Sequence, residues 1–349
     1  MMTSFRFWTL AASGAVLVLL SGLGLAQTDD MVDLRVALAV DDAGFNLTTS
    51  SVFRLAQDLG FFERHGVNVT FVALDGTPQA IAALLAGQVD AADIALDAAV
   101  RLTATGDLVL RGIVATGTGS PFLIATRDDI ATVADLAGRS YAIADNGSLD
   151  HSLTQAVLRG LGVDPASPAY VAIGAPAVRV QALALGQVDA TTVSFGTFGS
   201  IEGTPGIHIL VPPGEFSDFA PALTKFVAVR ADTIEENAEA LQRFTEALID
   251  TSREMAAHPE IWVDAAAAAR TDISRESLER TAGFLADRWC VNGCIDPAEL
   301  DASVAFIYAN PDFADVPAMV AADLVDLGFT NRALQALGVD PAQGFDARP

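Results

Sequence analysis

The chain has 349 residues, of which 51% are apolar and 18% are charged, and its formal net charge is −24. This length exceeds what one compact lobe needs, and the apolar content excludes general disorder. The 20 basic residues stand against 44 acidic ones and form no basic run, which excludes a protein that binds the phosphates of nucleic acids.

Residues 1–26 form a segment of their own. Arg6 is its only charged residue, an apolar run extends from Phe7 to Leu20, and small residues follow as far as Ala26. This order is typical of a secretory signal peptide that is cut after Ala26. A membrane anchor is the alternative, but so short an apolar run spans a bilayer poorly. We therefore expect an exported protein that is soluble after cleavage.

The first half of the chain is predicted to alternate strands and helices. Strands are expected at Leu34–Val40, Asn68–Leu74 and Val89–Ala95, with helices at Ser51–Arg64 and from about Pro78. Each strand is a short apolar run, whereas the helices show apolar residues at helical spacing. Strands that alternate with helices favour a parallel sheet.

A duplication links the two halves. Ala83–Ala91 recurs 99 residues later as Ala182–Ala190, with seven of nine positions identical. In each copy a helical pattern ends at a glycine, which suits a left-handed helix cap. Asp90 and Asp189 fall at equivalent places in the copies. We therefore expect each to act locally at the start of a strand, not as a pair in acid–base catalysis.

The order of elements repeats around the second copy. The predicted elements are a strand at Ser140–Ala144, a helix at Asp150–Leu161, a strand at Tyr170–Ile173, a helix from about Pro176 and a strand at Val188–Val193. Pro121–Arg127 and Leu223–Arg230 are expected to be strands that cross between the halves and form a hinge. After Asp232-Thr233, a candidate helix cap, amphipathic helices are expected to brace the first lobe.

These elements predict an α/β protein of two lobes, each with a mostly parallel sheet flanked by helices. The expected boundaries are 32–121 for the first part of lobe 1, 122–224 for lobe 2, and 225–349 for the return to lobe 1 with its bracing helices. Cys290 and Cys294 enclose an Asn-Gly turn, which predicts a disulfide in an oxidising compartment. A metal site would need further ligands, and no histidine lies beside the cysteines, so we expect neither a metal nor a cofactor.

Several motifs resemble one family. The run Leu59–Val69 resembles the glycine–aromatic signature of the nitrate-, sulfonate-, taurine- and thiamine-pyrimidine-binding proteins. Both Gly-Gln-Val-Asp segments and Val133–Arg139 resemble that family as well, over about residues 32 to 260. The resemblance implies the type II periplasmic-binding-protein fold and a monomeric, non-enzymatic periplasmic receptor. It also implies that a small molecule is captured between the lobes and delivered to the permease of an ABC importer.

Candidate ligand contacts follow from the fold. In open α/β sheets, ligands lie beyond the carboxyl ends of the strands, where helix N-termini present free N–H groups. The loops at these ends nominate Asp42, Phe45, Asn46, Thr77, Asp97, Ser120, Asn146, Gly147, Ser148, Ser194, Phe195 and Phe198. The alternatives are local ones: a turn and helix cap for residues 146–148, and ordinary core packing for the phenylalanines.

The nominated loops contain no arginine or lysine, although an anion receptor would be expected to place one in the cleft. They hold aspartates, hydroxyls and phenylalanines. Our hypothesis is therefore a neutral or cationic heteroaromatic ligand, such as a pyrimidine or a vitamin precursor. The alternatives are a sulfonate-, taurine- or nitrate-type anion, or an exported enzyme on the same fold. No nucleophile elbow, HExxH helix or P-loop supports an enzyme, and the enzymatic thiamine-pyrimidine synthases carry a cysteine cluster that is missing from this sequence.

Overall fold

The computed structural model describes residues 31–40, 42, 44–221 and 223–341. The predicted signal peptide at residues 1–26 lies outside these ranges. Ten strands are present in the described chain: β1 (Val32–Leu38), β2 (Val67–Ala73), β3 (Ala91–Ala95), β4 (Leu110–Val114), β5 (Phe122–Arg127), β6 (Ser140–Ile143), β7 (Ala169–Ala172), β8 (Ala190–Ser194), β9 (Ile207–Val211) and β10 (Lys225–Arg230).

The helices between and after these strands cover the faces of the sheets. They are α1 (Val52–Asp58), α2 (Phe61–Arg64), α3 (Thr77–Leu85), α4 (Leu96–Thr105), α5 (Leu149–Gly160), α6 (Pro176–Ala184), α7 (Phe195–Phe198), α8 (Pro213–Asp218), α9 (Ala238–Ala257), α10 (Pro259–Ala269), α11 (Arg275–Leu285), α12 (Pro297–Tyr308) and α13 (Gly328–Leu337). None of the helices in the described ranges is long and apolar enough to cross a membrane.

The strands form two sheets of five with the same plan. Sheet 1 has the order β2-β1-β3-β10-β4, and sheet 2 has the order β7-β6-β8-β5-β9. In each sheet the first three strands are parallel, and one strand is antiparallel to both of its neighbours, β10 in sheet 1 and β5 in sheet 2. Below, lobe 1 means sheet 1 with the helices packed on it, and lobe 2 means sheet 2 with its helices. The predicted α/β class with two mostly parallel sheets is confirmed.

The antiparallel strands carry the chain between the lobes. The chain leaves sheet 1 after β4 and enters sheet 2 as β5, and it returns to sheet 1 as β10. Because each of these strands runs against its neighbours, its first residue lies at the carboxyl ends of the parallel strands. Lys225 pairs with Ala95, the last residue of β3, and Phe122 pairs with Ser194, the last residue of β8. Both crossings therefore begin at the edge where a ligand would bind.

Helices α9 and α12 pack on lobe 1. The predicted apolar face of α9 is buried, including Leu241 and Phe244, and it joins one core with β1, β2 and α1. Helix α12 packs with α3 and α4 on the other face of the sheet. The expected helix cap at Asp232-Thr233 is wrong, because the helix begins at Ala238 and the Asp232 carboxylate accepts hydrogen bonds from Arg230 instead.

One predicted helix is divided in the structure. The expected helix at Ser51–Arg64 is two helices, α1 and α2, separated at Gly60. Gly60 has φ +71°, a left-handed conformation that ends a helix and that glycine adopts at no steric cost. The other predicted elements of the two sheets are present, with bounds shifted by at most two residues.

Both copies of the repeat end their helices in the same way. Gly87 and Gly186 have φ +65° and +69°. The amide after each glycine bonds back to the carbonyl five residues earlier, Gln88 N to Ala83 O at 3.0 Å and Gln187 N to Ala182 O at 2.9 Å. This is the hydrogen-bond pattern of a Schellman cap, so the predicted left-handed caps are confirmed in both lobes.

The two repeated aspartates lie immediately before strands β3 and β8. Asp90 Oδ2 accepts from the backbone N of Arg35 at 2.9 Å, and Asp189 Oδ2 accepts from the backbone N of Ser140 at 3.0 Å. Each carboxylate thus satisfies the neighbouring strand at the same place in its own lobe. Their predicted local role is confirmed, and the two do not form a pair.

Candidate functional site

A cavity of about 80 Å³ lies between the lobes. Loops beyond the carboxyl ends of β1 and β2 line it from lobe 1, and loops beyond β6, β7 and β8 line it from lobe 2. Its polar and charged lining residues are Asp42, Asn46, Thr48, Ser50, Thr77, Ser148, Asp150, Arg179, Ser194, Thr197 and Lys225. We call this space the cleft cavity.

Asp42 joins the two lobes at one wall of the cleft cavity. The residue belongs to lobe 1 and is 2% exposed. Its Oδ1 accepts from the backbone N of Ala177 at 2.8 Å, at the first turn of α6, and its Oδ2 accepts from Thr197 Oγ1 at 2.8 Å. Arg270 Nη1 lies 3.5 Å from the same Oδ2. Asp42 therefore binds lobe 2 through both carboxylate oxygens and also contacts a C-terminal arginine.

Lys225 brings a positive charge to the cavity from lobe 1. It is the first residue of β10 and the only lysine of the chain. Its Nζ forms an ion pair with Asp93 Oδ2, and the side chains are 15% and 3% exposed. Burial raises the pKa of Asp93, and the ammonium of Lys225 opposes that rise. Because an ammonium carries three N–H donors, this pair leaves Lys225 able to donate further.

Arg179 brings a second positive charge, from lobe 2. It lies one turn into α6 and is 2% exposed. Its Nη1 donates to Gly174 O at 2.8 Å and lies 3.4 Å from Asp150 Oδ2, and its Nη2 donates to Thr192 O at 3.2 Å. Its Nε is buried and has no hydrogen-bond partner within the described chain.

Asp150, by contrast, has a partner on each carboxylate oxygen. Its Oδ2 accepts from the backbone N of Ala144 at 2.9 Å, and its Oδ1 accepts from Ser148 Oγ at 2.7 Å, in addition to the contact with Arg179. Both carboxylates that line the cavity thus have a partner on each oxygen, whereas Lys225 keeps N–H groups that can donate further. Buried donors are costly when they remain unpaired. The cavity is therefore suited to a group that accepts hydrogen bonds.

Five of the twelve nominated ligand residues line the cleft cavity: Asp42, Asn46, Thr77, Ser148 and Ser194. Each holds a loop in shape. Thr77 Oγ1 accepts from the backbone N of Ala95 at 3.2 Å, and Asn46 Oδ1 accepts from the backbone N of Asp42 at 3.2 Å. Ser194 caps α7 by accepting from Thr197 N. Contact of these five residues with a ligand stays a prediction.

The three nominated phenylalanines lie away from the cleft cavity. Phe45 is buried in the core of lobe 1 with its ring centroid 6.0 Å from that of Trp262. Phe195 packs on Phe284 at 5.8 Å, and Phe198 is buried in the core of lobe 2. The geometry agrees with the alternative of core packing. Phe122, which was not nominated, is the aromatic residue that lines the cavity.

The remaining nominated residues lie at other places. Asp97 lines a neighbouring, larger cavity, and burial raises its pKa. Ser120 is buried at the first crossing, where its carbonyl accepts from Ser217 Oγ at 3.1 Å. Asn146 is exposed, and Gly147 has φ +74° in the turn before α5. Cys290 and Cys294 are joined by a disulfide.

The expectation of a cleft without arginine or lysine is wrong, because Arg179 and Lys225 both line it. Neither residue follows a parallel strand directly, which is where the candidates were sought. Arg179 reaches the cavity from the first turn of α6, and Lys225 begins an antiparallel strand. The position of Lys225 in its strand could have identified it, because the first residue of a crossing strand lies at the edge of the sheet where a ligand would bind.

The comparisons with known proteins agree with this geometry. The sequence model described as NMT1/THI5 like matches residues 48–261. A Brucella abortus (strain 2308) protein, whose name provisionally assigns it a binding function, is 28% identical over 258 residues, which cover 73% of this chain and 76% of that protein.

Solved structures share the fold at low sequence identity. The alkanesulfonate-binding protein SsuA from Xanthomonas axonopodis pv. citri has a TM-score of 0.67 at 18% identity, covering 85% of this chain and 99% of that one. The periplasmic nitrate-binding protein NrtA from Synechocystis PCC 6803 has a TM-score of 0.67 at 14% identity, covering 90% and 91%. The fold is thus that of the periplasmic binding proteins. By the extent of the sequence match, the chain belongs to the NMT1/THI5-like family.

Proposed function

We propose that this chain is the solute-binding protein of an ABC importer. It captures a small molecule between its lobes outside the cytoplasmic membrane and delivers it to a permease. The observation that carries the proposal is the cleft cavity, which both lobes line at the carboxyl ends of their strands. Membership of the NMT1/THI5-like family and the likeness to alkanesulfonate- and nitrate-binding proteins support it. Removal of residues 1–26 and a periplasmic location belong to the same proposal.

Capture follows from the position of the cavity. A solute that lies there contacts lobe 1 and lobe 2 together only when the lobes are closed. Because it binds the closed form better, it shifts the population towards that form. The hinge is the pair of crossings that lead into β5 and β10, where a change of a few backbone torsions can move one rigid lobe against the other.

The unused donors indicate which solutes fit. Lys225 lines the cleft cavity, and its remaining N–H groups can donate to acceptor oxygens or nitrogens of a ligand. This favours a neutral or anionic ligand over a cationic one. A pyrimidine or related heteroaromatic compound stays within the proposal, because its ring nitrogens and carbonyls accept hydrogen bonds and Phe122 offers an aromatic surface.

The test begins with a thermal-shift screen of pyrimidines, flavins, sulfonates, amines and oxyanions. A ligand that binds the folded state alone raises the melting temperature. Small-angle scattering at saturating ligand should then show a smaller radius of gyration. A chain that binds a member of the panel without any compaction contradicts capture between the lobes.

A matched pair of variants separates closure from folding. Gly76 lines the cleft cavity in an extended conformation that any residue adopts, and a Cβ there would face Ser148 of lobe 2 at 3.6 Å. Gly76→Trp should therefore obstruct closure and lower affinity at least about tenfold. Gly214→Trp, at an exposed position of lobe 2 with nothing near its Cβ, should leave affinity unchanged. Equal affinity in both variants would place the binding site elsewhere.

A further inference from the structure

A second cavity lies between the lobes, next to the cleft cavity. Its volume is about 210 Å³, and α5 of lobe 2 faces α4 and α12 of lobe 1 across it. Most of its wall is apolar, and Asp97 and Arg159 add charged groups to it. The larger apolar lining residues are Leu96, Leu153, Phe219, Phe306, Ile307 and Phe313. An apolar cavity of about 150 Å³ is large enough to hold benzene. We call this space the apolar cavity.

The two cavities share one lining residue, Leu149. This residue, the first of α5, lines both of them. Thr224 lines the apolar cavity, and the next residue, Lys225, lines the cleft cavity. A solute long enough to extend past Leu149 would have one end in each space.

Phe306 supports a function for the apolar cavity that is more than packing. Its side chain is 36% exposed although it belongs to the wall. A concave site that is lined mostly by apolar and aromatic side chains is typical of a small-molecule pocket. Because the opposing walls belong to different lobes, an apolar group there becomes fully buried only when the lobes close, and its burial then favours closure.

We propose that the captured solute is an amphiphile. Its hydrogen-bond-accepting end lies in the cleft cavity at Lys225 and Arg179, and its apolar group, at least as large as a benzene ring, lies in the apolar cavity. This inference rests on the proposed function and names the ligand class of the same site. The apolar cavity selects solutes by the size of their apolar group, and Lys225 and Arg179 select solutes that accept hydrogen bonds.

The experiment compares small probes by titration calorimetry on the purified protein. We expect 3-phenylpropionate to bind about tenfold or more tightly than propionate, because its ring loses contact with water in the apolar cavity. The neutral 3-phenylpropionamide should bind as well, whereas the cationic 3-phenylpropylamine should not. Equal affinity for propionate and 3-phenylpropionate, binding of the amine alone, or no binding of any phenyl probe overturns the proposal.

Two variants locate the site of binding. Ala156→Trp fills the apolar cavity from α5 and should weaken 3-phenylpropionate about tenfold, whereas Ala305→Trp on the exposed face of α12 should change it less than about twofold. Phe306→Ser removes an exposed part of the wall and provides a second test that spares the core. If neither cavity variant affects binding, the apolar cavity is not the subsite.

These outcomes are distinct from a failure of receptor function. A chain that compacts on another solute of the panel, with that affinity lowered by Gly76→Trp but not by Ala156→Trp, is a receptor without an apolar subsite. A chain that compacts on no solute is not a receptor of the proposed kind.

Discussion

The two lobes share a backbone plan but differ in the polar groups at matched positions. Asp93 of β3 and Thr192 of β8 are separated by the same 99 residues as the repeat. In lobe 1, Asp93 forms a buried ion pair with Lys225. In lobe 2, Thr192 Oγ1 lies 2.6 Å from both Tyr141 Oη and Thr154 Oγ1, in a chain of hydroxyls. The repeated residues thus build the sheet, and the residues that differ decide the charge of each wall of the cleft.

The largest expected effect comes from breaking the ion pair of lobe 1. Asp93→Ala leaves the ammonium of Lys225 largely buried without its partner, and removal of one member of a buried pair costs about 3 kcal/mol. Urea unfolding of the variant and the wild type should show this loss of stability.

The double variant Asp93→Ala/Lys225→Met is the control for that measurement. It removes both charges and should recover most of the loss, because an apolar replacement of a buried pair is often close to neutral. A double variant that is no more stable than Asp93→Ala would mean that Asp93 acts through something other than Lys225.

The matched change in lobe 2 should cost less. Thr192→Val removes the hydroxyl shared by Tyr141 and Thr154 but leaves no unpaired charge, so we expect a loss of about 2 kcal/mol in urea unfolding. Tyr141→Phe combined with Thr192→Val should add little further loss, because the two groups share one bond. A loss as large as that of Asp93→Ala would remove the contrast between the lobes.

The helix caps should behave alike in the two lobes. Gly87→Ala and Gly186→Ala each place a side chain in the left-handed region, at a cost of about 1 kcal/mol. A Cβ at Gly87 meets nothing within 4 Å, whereas one at Gly186 would lie 2.6 Å from Arg127 Nη1. That flexible side chain can move, so thermal unfolding should show a slightly larger loss for Gly186→Ala and no gain for either.

The smallest effect is expected at the repeated aspartates. Asp90 pairs with the half-exposed guanidinium of Arg35, and such surface pairs contribute about 0.5 kcal/mol. The loss on Asp90→Asn should shrink at about 1 M salt because exposed charges are screened. Asp189→Asn serves as the comparison, since its carboxylate bonds to the backbone N and hydroxyl of Ser140 and has only a longer ion pair, 3.9 Å from Arg139 Nη1. An identical salt dependence in both variants would show that the Arg35 pair has no special role.

The sequence predicted the strands and helices of both lobes well, because their signals are local. Apolar runs, glycine caps and the duplicated segment each report on a few neighbouring residues. The candidate site was predicted in part, since Asp42 and Thr77 follow parallel strands as expected. Phe45 and Phe195 could not be placed in the same way. Their packing partners, Trp262 and Phe284, come from C-terminal helices far along the chain, and no local pattern reports on such contacts.

The bonds of Asp42 to Ala177 and Thr197 have a consequence for how affinity can evolve. They lie wholly within the chain, so they add the same free energy to closure for every solute. A ligand's apparent affinity scales with the fraction of molecules that can adopt the binding-competent form. Changes at Asp42 that act through these two bonds would therefore raise or lower affinity for all solutes in parallel, whereas changes at Lys225 or Arg179 would alter the ranking among them. Overall affinity and the preference among solutes can thus change through substitutions at separate residues.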